Sequence, residues 1–132
     1  MTRYMLDTNT VSYLIKGHPA VVRRVMAASM SDLCISAITE GELLFGLVKR
    51  PEARRLQTAV QELLRRVDVL PWNSAISDFY GISRVDLEKQ GKTLAPLDLL
   101  IASHALGTDA VLVSSDKAFN QLATLSLEDW TR

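Results

Sequence analysis

The sequence predicts an α/β fold built on a mainly parallel central sheet. Short, β-prone apolar runs recur along the chain: "RYML" at 3–6, "LCIS" at 33–36, "VDVL" at 67–70 and "AVLVS" at 110–114. Between them lie longer stretches whose apolar residues repeat with the 3.6-residue helical period. Strands that alternate with helices in this way are the pattern of α/β architecture. At 132 residues the chain fits one compact domain spanning 1–132, since domains commonly run to roughly 100–150 residues.

Taken in order, "RYML" reads as a short strand and "TVSYLIKG" at 10–17 as a helix closed by Gly17 in a C′ position. Pro19 suits the first turn of a second helix running to Ala28. After the strand "LCIS", "TEGELLFGLVK" reads as a helix with Thr39 as N-cap and Glu42 three residues later, a capping box. Pro51 opens the next helix, where Leu56, Val60, Leu63, Leu64 and Val67 keep the helical period while the arginines face away. "VDVL" is a third strand, and 73–91 a long amphipathic helix stopped by Gly91. Its Phe79, Tyr80, Val85 and Leu87 read first as core, with dimer packing as the alternative. Pro96 begins "PLDLLIASHALG", which ends on glycine; "AVLVS" is the clearest strand, and "DKAFNQL" a short helix after it.

Composition narrows the class. A hydrophobic content of 48% with 23% charged residues is ordinary for a soluble globular chain. No apolar run approaches the length of a membrane span, and the first residues lack the apolar core of a signal peptide. The single cysteine, Cys34, has no intramolecular partner, so a reduced, cytoplasmic setting is expected. Net charge is zero, but Lys49–Arg66 holds six basic residues against two acidic ones. That segment is compatible with a polyanionic partner and equally with a solvated helix face.

The acidic residues carry the chemistry. In a parallel sheet all strands end at one edge, where α/β proteins build their sites. Asp7 ends the first strand, and Asp116 follows "AVLVS". Glu42 and Asp98 fall in first turns of helices expected to begin at the same edge. Each acid alone has a plain structural use: N-capping, or favourable placement at a helix dipole. Together they crowd like charges, which half-charges at helix N-termini do not offset. A hard divalent cation does, because Mg²⁺ and Mn²⁺ take oxygen ligands and retain waters. The sequence lacks a Cys/His zinc cluster, a G-x-S-x-G elbow and a glycine-rich phosphate loop. Phosphodiester hydrolysis with a bound metal is the leading candidate chemistry, with Arg54, Arg55, Arg65 and Arg66 as candidate contacts to the flanking nucleic-acid backbone. A phosphate-accepting receiver-like domain is a weaker alternative, for which Lys117 is a poor candidate lysine.

Four segments, "MLDTN" at 5–9, "ISAITEGELLFG" at 35–46, "LAPLDLLIASHA" at 94–105 and "LVSSDKAF" at 112–119, resemble the PIN-domain nucleases, and among them the VapC-type toxins of toxin–antitoxin pairs. The likeness extends to the terminal "LSLEDWT". It implies a three-layer α/β/α sandwich and an acidic metal site of Asp7, Glu42, Asp98 and Asp116. Asp7 and Asp98 would be the principal Mg²⁺ ligands, with Mn²⁺ able to substitute. Thr8, Asn9 and Ser114 fall where the family keeps small polar residues beside the site, and Glu42 rather than Glu40 takes the family position. The resemblance also implies an endoribonuclease toxin that cuts tRNA, with the initiator tRNA anticodon stem-loop as the expected target, and thereby inhibits translation. It further implies a homodimer that joins a VapB-like antitoxin in a larger hetero-oligomer and meets DNA only through that antitoxin. The alternative is a catalytically weak PIN-domain subunit acting mainly as co-repressor in such a DNA-binding complex.

Overall fold

A computed structural model describes residues 2–132. Five strands form one sheet: β1 (Tyr4–Leu6), β2 (Leu33–Ser36), β3 (Asp68–Leu70), β4 (Val111–Val113) and β5 (Leu127–Glu128). They lie in the order β3-β2-β1-β4-β5, and every neighbouring pair is parallel. Tyr4 pairs with both Leu33 and Val111, so β1 sits centrally with β2 on one side and β4 on the other.

The sheet is buried on both faces, and its sequence alternates accordingly. Met5, Cys34 and Leu112 point into a cluster with Leu87, Ile101 and Phe119. Leu6, Leu33, Ile35 and Val113 point the other way, among Val11, Val21, Leu43 and Val60. On the first face lie α5 (Ser74–Lys89) and α6 (Pro96–Gly107). The second face is covered by α1 (Thr8–Ile15), α2 (Pro19–Ala27), α3 (Ala37–Lys49) and α4 (Arg54–Arg66). This is the expected three-layer α/β/α sandwich. Burial pushes the Cys34 thiol up to about 12, so it packs as a small apolar group.

Several element boundaries differ from the sequence expectation. Thr39 is not the N-cap of α3: the helix starts two residues earlier, capped by Ser36, whose Oγ accepts the Ile38 N–H at 3.0 Å. Thr39 is buried within the helix, and Glu42 lies in its second turn, so the predicted capping box does not form. Pro51 does not open α4 either. A turn closed by the Ala53 N–H on the Arg50 carbonyl, at 3.1 Å, intervenes, and the helix starts at Arg54. The segment after β4 is a 3₁₀ helix, Lys117–Gln121, and β5 was not anticipated. Gly17 does take the left-handed conformation, φ +80°, that ends α1.

Gly107 closes α6 for a packing reason. A Cβ there would meet Ile76 Cγ1 at 3.1 Å and Phe79 Cδ2 at 3.3 Å, so the missing side chain lets α5 approach α6. The residue that adopts positive φ after α6 is instead Asp109, at 54°. Gly107→Val is expected to force α5 and α6 apart and to cost about 1–3 kcal/mol, read as a lower urea midpoint at unchanged slope.

Candidate active site

The local folding that builds the site starts where β1 ends. Asp7 is 4% exposed. Its N–H donates to the Val113 carbonyl at 3.1 Å, continuing the β1–β4 pairing one residue beyond the strand. Its Oδ1 accepts the Thr10 N–H at 2.7 Å, making Asp7 the N-cap of α1. Thr10 in turn donates its hydroxyl to the same Val113 carbonyl at 2.9 Å. A carboxylate so enclosed is costly to ionise. Burial raises the Asp7 pKa above its usual 3.8, Asp116 adds to the rise, and hydrogen bonds from Ser114 and Thr10 oppose it.

Asp116 comes from the end of β4 by the same logic. Its N–H donates to Ser114 Oγ at 3.0 Å, and its Oδ1 accepts the Ala118 N–H at 2.9 Å, capping the 3₁₀ helix. Buried Ser114 therefore stands between two acids, touching the Asp7 carboxyl on one side and the Asp116 backbone on the other. On α3, Glu42 Oε1 accepts the Thr8 hydroxyl at 2.6 Å, and Thr8 Oγ1 is 3.3 Å from Thr39 Oγ1. Thr39, misread as a cap, thus braces the Thr8–Glu42 contact.

Asp98, in the first turn of α6, faces the other three acids. Desolvation raises its pKa most, followed by the charges of Asp116, Asp7 and Glu42. Acids more than thirty residues apart in the chain, such as Asp7 and Glu42, thus share one electrostatic field at the carboxyl edge of the sheet. Glu42, and not Glu40, is among the charges that raise the Asp98 pKa. Asn9 is exposed on α1 and makes no side-chain hydrogen bond to the acids among the described residues.

The α4 arginines separate into two pairs. All four are exposed. Arg65 and Arg66 both pair with Glu62, at 3.1 and 3.6 Å, and immediately precede the start of β3, at the sheet edge opposite the acids. Arg54 and Arg55 begin the helix about 16 Å away, where the following Leu56 lines a cleft with Thr8 and Glu42. The long helix thus spreads its charge across the molecule rather than gathering it at the site.

Could these residues hold a metal? The donors are all carboxylate and hydroxyl oxygens, the set that hard cations take. Their mutual repulsion, seen in the raised Asp98 pKa, is what a cation would relieve. Among the described residues, however, no group of three His, Cys, Asp or Glu side chains is arranged to hold a metal ion. Capping bonds at Asp7 and Asp116, and the Thr8 bond at Glu42, hold the acids in their own niches. That suits a cation bound by one or two carboxylates with its remaining positions filled by water.

Sequence reasoning missed one buried polar contact and one cleft. Buried His104 Nδ1 lies 2.6 Å from Ser36 Oγ, joining α6 to the end of β2. Lys117 and Arg132 border a cleft that also contains Ser114 and Asp116. No local pattern signals the first contact, since its partners are 68 residues apart.

A parallel sheet with acids at its carboxyl edge, sandwiched between helices, is the PIN-domain arrangement, and the PIN domain model matches residues 4–125. The chain is 33% identical over 132 residues to the tRNA(fMet)-specific endonuclease VapC of Shigella flexneri, covering 99% of this chain and 100% of that protein. To ribonuclease VapC1 of Haemophilus influenzae it is 38% identical, covering 98% of each chain. The structure of VapBC2 from Rickettsia felis bound to a DNA fragment from their promoter matches at TM-score 0.90 and 31% identity, covering 98% of this chain and 99% of that one. The chain belongs to the PIN-domain family and, within it, to the VapC ribonucleases.

The raised Asp98 pKa has a consequence for stability. An acid whose folded pKa lies above its unfolded 3.8 favours the folded state less as pH rises through that interval. Ionised Asp98 therefore destabilises the protein at neutral pH. In EDTA, Asp98→Asn is expected to melt at a higher temperature than the parent at pH 7, and the gap should close as pH falls toward 3.8. Circular-dichroism melts across that range test it; a parent that melts higher than the variant at pH 7 would contradict it.

Proposed function

We propose that this chain is a Mg²⁺-dependent endoribonuclease, folded as one PIN domain over residues 1–132, and the toxin of a toxin–antitoxin pair. The observation that carries the reading is the field that Asp7, Glu42 and Asp116 exert on Asp98. The names of its relatives, a tRNA(fMet)-specific endonuclease and a ribonuclease, support RNA as substrate and tRNA as the particular RNA. Cutting such a tRNA would inhibit translation.

Asp7 and Asp98 would hold the cation, with Glu42 and Asp116 in support. When bound, the ion supplies charge neutralisation for the phosphodiester and a lowered pKa for a water. The side chains do the rest. Thr8 engages Glu42 Oε1 and leaves Oε2 to accept a proton from an attacking water. Ser114 holds the Asp7 carboxylate and, through the Asp116 backbone N–H, the start of the turn that carries Asp116. Arg54 and Arg55 are the α4 arginines nearest the cleft that Thr8 and Glu42 line, and serve as contacts to flanking phosphates. Purified protein should cleave RNA with Mg²⁺ or Mn²⁺ and stop with EDTA. Asp7→Asn and Asp98→Asn should each lower the rate by roughly 100-fold or more. Undiminished cleavage by either variant would remove that acid from the site.

The partners follow the same pattern. A VapB-like antitoxin fits the exposed apolar Phe45 and Val48 of α3, and the promoter DNA in the R. felis complex supports DNA contact through the antitoxin. We infer a homodimer through α5, correcting the balance struck from sequence: Phe79, Ile82 and Val85 are 40%, 68% and 51% exposed, whereas Leu87 belongs to the core. Asp78, Ile82, Val85 and Lys89 recur at spacings of four, three and four along the exposed side. Two copies paired antiparallel set Ile82 against Val85, and Asp78 of one copy against Lys89 of the other. Asp78→Lys should shift the protein to monomer in light scattering, and adding Lys89→Asp should restore the dimer. No helix among the described residues is long and apolar enough to cross a membrane.

A further inference from the structure

A second cleft, of about 330 Å³, opens beside Asp116 and is used by none of the roles above. Its lining includes Ser114, Asp116, Lys117, Asn120, Leu127 and Arg132. Ser114 and Asp116 belong to the acidic site, so the two sites share a wall. The same lining adds two cations, Lys117 and Arg132, and one further acid, Asp129. Lys117 is exposed and has no ion pair among the described residues. Arg132 approaches Asp129 at 3.4 Å with its side chain still 77% exposed. Asp129 is itself engaged, its Oδ1 accepting the Thr131 N–H at 2.9 Å and hydroxyl at 2.6 Å. Those bonds, with the Arg132 charge, hold its pKa below the usual value, and both Asp129 and Arg132 line the cleft. Leu127, half-buried, supplies an apolar floor, and the exposed Asn120 amide offers both a donor and an acceptor.

An acidic centre that works on one phosphate of a chain must live beside the next phosphate, which it repels. Cations in the lining of an adjoining cleft answer that need. The volume falls at the small end of ligand sites, nucleotide-sized rather than large enough for a helix. Resting on the ribonuclease reading, we propose that this cleft is the subsite for the nucleotide next to the scissile phosphate of a single-stranded RNA segment. Lys117 and Arg132 take its phosphate, Leu127 packs against its base, and the Asn120 amide hydrogen-bonds the base edge.

The test uses the full chain and a short fluorescein-labelled single-stranded oligoribonucleotide of mixed sequence. Fluorescence anisotropy in an Asp98→Asn background, across a salt series, gives affinity and salt slope without consuming the probe. Lys117→Gln and Arg132→Gln should each weaken binding several-fold and flatten the log–log slope by about 0.7–1. In the cleavage-competent chain the same changes should raise KM far more than they lower kcat. Asn120→Ala should change the ranking of otherwise identical probes that differ in one base, and Arg23→Gln, a charge removed elsewhere on the surface, should change none of these. Unchanged slope and affinity in the double variant, with parent cleavage intact, would overturn the subsite and leave the ribonuclease standing. A double variant that binds RNA normally but loses affinity for an acidic antitoxin peptide would overturn it in favour of a protein occupant. A parent chain that cleaves no RNA with Mg²⁺ or Mn²⁺ would instead defeat the ribonuclease reading itself.

Discussion

The parallel pairing of β1 with both β2 and β4 is the constraint on which everything else rests. It sets Tyr4 level with Leu33 and Val111, so the three strands finish together. The Asp7 N–H and the Thr10 hydroxyl both reach the Val113 carbonyl, which fixes the first turn of α1 to the end of β4. Shift that register by one residue and the faces exchange: Met5 and Leu6 would swap clusters, and Asp7 would leave the edge. The position of the site is therefore tied to the same side-chain alternation that buries the core.

Against that frame the acids are a standing electrostatic cost. Asp7 loses solvation, and Asp98 lies in the field of three other carboxylates. The fold offsets part of this by giving the acids structural duties. Asp7 caps α1, Asp116 caps a 3₁₀ helix, and Glu42 accepts a short bond from Thr8. An N-cap contributes about 1 kcal/mol, enough to keep an acid in place and too little to cancel its repulsion. The capping and the catalytic interpretations of these residues are thus not rivals. Capping sets where Asp7 and Asp116 point, and the residual repulsion is what a bound cation would relieve.

How far the sequence disclosed this depends on the range of the interaction involved. The strands "LCIS" and "AVLVS" were legible because buried parallel strands are continuous apolar runs, and Asp7 was legible because it ends such a run. Thr39 misled because T-x-x-E matches a capping box, whereas the helix begins directly from β2 with Ser36 as its cap. Pro51 misled in the same way, since a proline suits a turn as well as a first helical turn. The strand β5, two residues long, carries no periodic signal and forms because Leu112 donates to Ser126 and Ser114 to Glu128 across the sheet. The α4 arginines looked like one cluster in sequence, but a helix of that length delivers its two ends to opposite edges of a short-stranded sheet.

His104 shows what local patterns cannot reveal. It lies six residues beyond Asp98 on α6, fully buried, with its ring edge-on to Trp72 at 5.5 Å. Ser36 Oγ accepts the Ile38 N–H, which leaves its own proton free for His104 Nδ1 at 2.6 Å. Burial lowers the imidazole pKa, opposed by the Pro71 carbonyl, which favours the neutral ring. Nε2 makes no hydrogen bond within ordinary limits, so the Ser36 contact is the ring's one close hydrogen bond. Ser36 is also the residue from which α3 springs, and α3 bears Glu42. One hydroxyl therefore couples the helix carrying Asp98 to the helix carrying Glu42 through the end of the strand between them. The helices bearing two acids that repel each other are thus joined beneath the site by a neutral contact, which holds them together without neutralising either carboxylate.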